Sequence, residues 1–138
     1  MEFRSFLIKY AEIGVKGRNR GIFEDALVRQ IRHALKRCEG EFAVRRTRGR
    51  VYVEVLSESY DYEETVEGLK TVFGIAQICP MIELKDEGFE SLCSAVVSYM
   101  GEAYPDRNFT FKVNTRRARK DYPMESMEVG REVGGVLL

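Results

Sequence analysis

The stretch "KYAEIGVKGRNRGIFE" (Lys9–Glu24) packs three glycines and four basic side chains between an apolar run and an amphipathic run. Gly14, Gly17 and Gly21 can adopt backbone angles closed to other residues, so they let a strand turn into a helix. Lys16, Arg18 and Arg20 then stand beside the predicted helix start, where unsatisfied amides favour anions. This chemistry suits a phosphate. Two further clusters repeat the theme: Arg45, Arg46, Arg48 and Arg50, then Arg116, Arg117, Arg119 and Lys120, with Lys112 and Arg131 nearby. Crowded guanidinium groups repel one another unless anions intervene, and each phosphate they neutralise releases condensed counterions. The plainer alternative is a strand-to-helix turn and ordinary solvated charge.

The glycine loop fits no nucleotide-cofactor pattern. A P-loop requires GxxxxGK[ST], but here Lys16 precedes Gly17 and no Ser or Thr follows to hold magnesium. The dinucleotide fingerprint GxGxxG fails on spacing. Gly14-Val15-Lys16-Gly17 matches the GxxG clamp of KH domains, yet that clamp joins helices and a strand precedes this one. "RGRVYVEV" (Arg48–Val55) approaches the RNP1 pattern of RNA-recognition motifs at Arg48, Gly49, Tyr52 and Val53. Arg50 and Val55 stand where aromatics belong, so two of the three stacking rings are missing.

Zero formal net charge conceals a segregation. Residues 1–50 hold 13 Lys/Arg against 6 Asp/Glu, residues 51–111 hold 3 against 12, and residues 112–138 hold 6 against 4. Local patches decide polyanion binding, so a neutral total does not exclude it. With 138 residues and 44% hydrophobic content, the chain suffices for one domain or two small ones. No apolar stretch approaches a membrane span, and "MEFR" does not begin a signal peptide. Cys38, Cys79 and Cys93 are odd in number and widely spaced, which points to buried structural thiols in a reducing cytoplasm. His33 sits off the apolar stripe and reads as surface decoration.

The elements that must position these residues follow from periodicity. "FRSFLIKYA" reads as a strand. Phe23, Leu27, Ile31, Ala34, Leu35 and Cys38 recur at helical spacing, with Asn19 as cap, Glu24 and Asp25 near the positive start, and Gly40 past the end. Arg29, Arg32 and Lys36 share another face. "FAVRRTRGRVYVEVL" alternates around Gly49 as a hairpin. Asp61 with Glu64 opens a second helix bearing Val66, Leu69, Val72 and Phe73, closed by Gly74. "IAQICPMIEL" returns as a strand whose Pro80 marks an edge or bulge. The order strand, helix, strand, strand, helix, strand is the ferredoxin-like βαββαβ arrangement, complete by about residue 84. Beyond it, Phe89, Leu92, Cys93, Val96, Val97 and Met100 stripe a helix, and "NFTFKVNTRR" alternates as a strand. A last helix follows from Met124, with Met127, Val133, Val136 and Leu137 as its apolar residues.

"IKYAEIGVKGRNRGIFE", "LKTVFGIAQICP" and "FTFKVNTRRARKDYPMESMEVGREVGGVLL" resemble, in this order, signatures of the tRNA 4-thiouridine synthetase (tRNA sulfurtransferase) family. Ala11 replaces a glycine common among relatives. The resemblance implies an α+β chain: a ferredoxin-like domain over residues 1–74 and an RNA-binding THUMP domain over 75–138, incomplete at its C-terminal end. It implies tRNA as partner, gripped at the acceptor stem and CCA end. Basic residues would carry the contact: Arg116, Arg117, Arg119 and Lys120 first, with Lys112 and Arg131, then Lys16, Arg18 and Arg20, and lastly Arg45 and Arg46. Tyr122 could stack on a base. The family's ATP- and magnesium-dependent domain, which activates uridine 8 before sulfur enters, has an SGGxDS-like loop that does not occur in these residues. No cofactor, metal site or catalytic residue is therefore expected here. A sulfur-donor protein and a role in thiamine synthesis attach to full-length relatives. A ferredoxin-like dimerisation module is the rival reading, and a small-molecule sensor is a third.

Overall fold

The computed structural model describes residues 2–10, 19–47, 50–106, 108–116 and 124–138, of which Asn19 is described by its backbone only. They form two units, Glu2–Glu83 and Leu84–Leu138.

In the first unit, β1 (Ser5–Tyr10), α1 (Asn19–Leu35), β2 (Phe42–Thr47), β3 (Arg50–Val55), α2 (Tyr62–Lys70) and β4 (Ile75–Met81) follow in the expected order. The sheet runs β2-β3-β1-β4, antiparallel throughout. Alternation sends Phe6, Ile8, Val51, Val53 and Val55 to one face, where they pack with Leu27, Ile31, Ala34 and Leu35 of α1 and Leu69 of α2. Ile31 is fully buried, and covering such a side chain is worth roughly 1.5–3 kcal/mol. Asp61 caps α2 by accepting from the Glu64 amide at 3.1 Å. The reciprocal half of a capping box is absent, because the Glu64 carboxylate accepts from the Glu39 amide at 2.6 Å instead.

Several expectations change. The boundary at residue 74 falls inside the first unit, because β4 pairs with β1 from Tyr10↔Ile75 to Ser5↔Met81. Glu24 and Asp25 lie beyond the first turn of α1, which contains no acidic residue. The cap expected of the Asn19 side chain lies outside the described residues. Gly21 is helical with an ordinary φ, so it supplies no turn; Gly14 and Gly17 lie outside the described residues. Phe73 does not join the core but is 89% exposed.

The second unit contains α3 (Phe89–Ala103) and α4 (Ser126–Leu137). Cys93 packs with Val129 and Val133, flanked by Phe89, Leu92, Val96 and Val113. Val129, absent from the expected stripe, is buried, whereas Met127 and Val136 are exposed. The strand expected over 108–117 does not form among the described residues: 108–116 make no ladder, and a strand is defined by its partner.

Candidate nucleic-acid interface

Consecutive residues of β2 point to opposite faces, which separates Arg45 from Arg46. Arg46 turns toward α1, donating to Asp25 Oδ1 at 2.7 Å and to the Gly21 carbonyl at 3.2 Å, with its Nε 3.7 Å from Glu24 Oε2. Arg20 donates from Nε to Glu24 Oε1 at 2.9 Å, one helical turn away. Glu24 is only 5% exposed, so a carboxylate there requires these cations. Two of the expected contact residues, Arg20 and Arg46, are thus engaged internally. The Tyr10 hydroxyl is buried beside them without a hydrogen bond of good geometry among the described residues. Burial foremost, then the neighbouring Glu24, push its pKa up, while Arg20 opposes them. The Tyr10 oxygen and then Glu24 raise the Arg20 pKa in return.

Arg45 stands on the sheet face away from the helices. The register Arg45↔Tyr52↔Leu7↔Cys79 runs as one row across that face. The Arg45 Cζ lies 5.1 Å from the Tyr52 ring centroid, within cation–π range. Val55, at the other RNP1 ring position, is buried against the helices, so even an aromatic there could not meet a base on this face. Arg48 lies outside the described residues.

A basic surface that the expected contact residues omit lies on α1 and the turn that follows it. Arg29, Arg32, His33, Lys36 and Arg37 are all exposed, and no acidic residue occurs between Ala26 and Cys38. Among the described residues none of these four Lys/Arg side chains forms an ion pair, whereas Arg4, Arg20, Arg46 and Lys70 each do. Their three- and four-residue spacing carried the signal in the sequence.

In the second unit Lys112, Arg116 and Arg131 are exposed and form no ion pair among the described residues. A Cβ on Gly130 would meet Thr115 Oγ1 and the Val113 carbonyl, each at 3.3 Å. Glycine therefore lets 113–115 run against α4 at Gly130. Lys16, Arg18, Arg117, Arg119, Lys120 and Tyr122 lie outside the described residues.

Comparison with known proteins supplies the context. Residues 5–79 match the ThiI ferredoxin-like domain and residues 87–138 the THUMP domain. The chain belongs to the tRNA sulfurtransferase (ThiI) family. It is 57% identical over 136 residues to the "Probable tRNA sulfurtransferase" of Lachnospira eligens and 54% identical to that of Agathobacter rectalis. Each match takes in 99% of this chain and 34% of the relative, so the chain spans about one third of the length of these tRNA sulfurtransferases. Among solved structures, a 4-thiouridine synthetase–RNA complex with bound ATP shares the fold at a TM-score of 0.75 and 30% identity. That likeness covers 99% of this chain and 33% of the other. PH1313 from Pyrococcus horikoshii shares it at 0.76 and 28% identity, over 97% of this chain and 44% of that one. The tRNA sulfurtransferase family thus accounts for both units, ferredoxin-like and THUMP.

Proposed function

We propose that this chain is the tRNA-binding portion of a tRNA sulfurtransferase that makes 4-thiouridine at position 8 of tRNA. It holds and presents tRNA by the acceptor stem and CCA end, and the chemistry resides elsewhere in the full-length enzyme. The observation that carries this reading is the THUMP match over residues 87–138. Likeness to a synthetase solved with RNA supports it. The grip reads shape, phosphates and unpaired bases rather than a long sequence. In the second unit Lys112, Arg116 and Arg131 meet phosphates, with Arg117, Arg119 and Lys120 continuing the same segment. Lys16 and Arg18 serve the first unit, and Arg45 contributes from the sheet face. Arg20 and Arg46 act on Glu24 and Asp25 and are removed from the direct contacts. ATP, magnesium and a sulfur-donor protein act on the remaining domains, in the cytoplasm. No helix among the described residues is long and apolar enough to cross a membrane.

Filter binding of tRNA at two salt concentrations tests this reading. Affinity should fall steeply with salt, since each phosphate contact contributes roughly 0.7–0.9 to the logarithmic slope. Absent or salt-independent binding would refute it.

A further inference from the structure

We propose that the groove between the second half of α1 and the Thr71–Val72 turn is an RNA site. In it Arg29, His33 and Arg37 take the phosphates of an unpaired strand, and Phe73 stacks on one of its bases.

The groove is about 440 Å³ and is lined by Ala26, Arg29, Gln30, His33, Arg37 and Val72, among others. That volume suits a phosphate and its sugar. Arg29 and His33 are four residues apart on α1, about 6 Å along the axis. Arg37 continues the row from the turn after the helix, its amide bonded to the Ala34 carbonyl at 3.4 Å. A helix C-terminus favours cations near its last carbonyls, which accounts for Arg32 and His33. It does not account for Arg29, which lies nearly two turns before the helix end. The chain holds 22 Asp and Glu. Even so, the four Lys/Arg of this stretch have no ion pair among the described residues, although paired arginines stand elsewhere in the same unit. Of these four, Arg29 and Arg37 line the groove with His33 between them, whereas Arg32 donates to the Val44 carbonyl at 3.4 Å. Two such cations along one groove complement an extended polyanion.

Phe73 turns a basic groove into a site for a base. It follows Thr71 and Val72, which line the groove, and precedes Gly74, whose φ of +97° ends the turn. A Cβ on Gly74 would approach Phe23 Cζ at 3.2 Å, so this turn lies against α1. Phe73, next in the chain after these two lining residues, is left with its side chain 89% exposed. An exposed aromatic at the margin of a basic groove suits unpaired nucleotides, ring against ring with phosphates on the basic side.

The inference rests on the tRNA-binding reading, and its test separates the two. The chain contains no tryptophan, so Phe73→Trp places a single indole fluorophore at the site. Titration with a single-stranded RNA of about ten nucleotides should quench it. Polyglutamate should neither quench it nor displace the RNA. Phe73→Ala should weaken binding of tRNA about five-fold or more, the low end of an aromatic–base stack. Arg29→Ala/Arg37→Ala should lower affinity and reduce the salt slope by about one to two, with Arg29→Lys/Arg37→Lys recovering most of it. Equal melting temperatures would show that the variants fold. Wild-type protein that binds no tRNA would overturn the proposed function and this site with it. Wild-type protein that binds tRNA, with both alanine variants matching it in affinity and slope and the Phe73→Trp emission unquenched, would overturn the groove alone. Quenching by polyglutamate equal to that by RNA would assign the groove to acidic protein and also overturn the proposal.

Discussion

Arg46 Nη1 lies 2.7 Å from Asp25 Oδ1, tying the outer strand of the sheet to the helix that covers it. The same guanidinium reaches Glu24, which is nearly buried. Arg46→Ala should therefore lower stability by about 1–2 kcal/mol, between an exposed ion pair and a buried one. For a unit of this size that corresponds to a melting-temperature fall of roughly 4–8 °C per kcal/mol. Affinity for tRNA should change little. Arg116→Ala should do the reverse, weakening tRNA binding with an unchanged melting curve. Calorimetry and filter binding on the two variants read the contrast directly.

Glycines divide into those that need their hydrogen and those that do not. Gly40 has φ +116°, and an added Cβ would sit 2.9 Å from Ser57 Oγ and 3.0 Å from Tyr60 Cβ. Ser57 Oγ cannot move freely, because it accepts from the Glu41 amide and donates to the Ser59 carbonyl, both at 2.9 Å. Gly40→Ala should cost about 1–3 kcal/mol. Gly21→Ala should instead stabilise by up to ~1 kcal/mol, since Gly21 is helical and an added Cβ would meet nothing within 4 Å among the described residues. Urea midpoints should move in opposite directions.

Asp61→Ala removes the oxygen that accepts from the Glu64 amide at the start of α2. Loss of such a cap costs about 1 kcal/mol. Asp61→Asn should retain most of that stability, which urea denaturation of the pair would check.

Alkaline conditions should destabilise the first unit. Burial above all raises the pKa of Tyr10, Cys38 and Tyr60 from ordinary values of 10.0, 9.0 and 10.0. Carboxylates add to this, Glu64 at Cys38 and Glu2 at Tyr60. All three groups are neutral when protonated, so the folded state binds protons more tightly than the unfolded state. The resulting stability is fully present below the ordinary values and is lost as pH rises through them toward the raised ones. Urea midpoints should hold near neutrality and fall above about pH 9. Alkylation of Cys38 at pH 8 should be slow relative to a free thiol.

Much of the first unit is legible in the sequence because its elements announce themselves locally. The α1 stripe, the hairpin alternation and the Asp61 cap each depend on near neighbours in the chain. Phe73 escapes this logic because α2 ends at Lys70, and helical spacing no longer assigns a side chain three residues later. In α4, Gly130, Gly134 and Gly135 thin the apolar pattern, so periodicity passes over Val129 and wrongly favours Met127. Residues 108–116 alternate like a strand, but alternation cannot provide a ladder partner. Of the basic residues, charge alone cannot separate Arg45 from Arg46. That distinction needs the pleat and the position of Asp25. The cations of α1 and the turn after it are visible as a face in the sequence, yet their lack of ion pairs among the described residues is a tertiary fact.

The two outer strands of the sheet, β2 and β4, have a consequence for how this chain survives before it meets any partner. Unfinished strand margins invite other chains to add to them and grow into insoluble fibres. One margin bears Arg45, which opposes stacking of identical copies through like-charge repulsion. The other carries Pro80 opposite Phe6, and proline offers no amide for a newcomer to bond. Each outer strand of the unit thus carries a residue that disfavours the addition of a further strand.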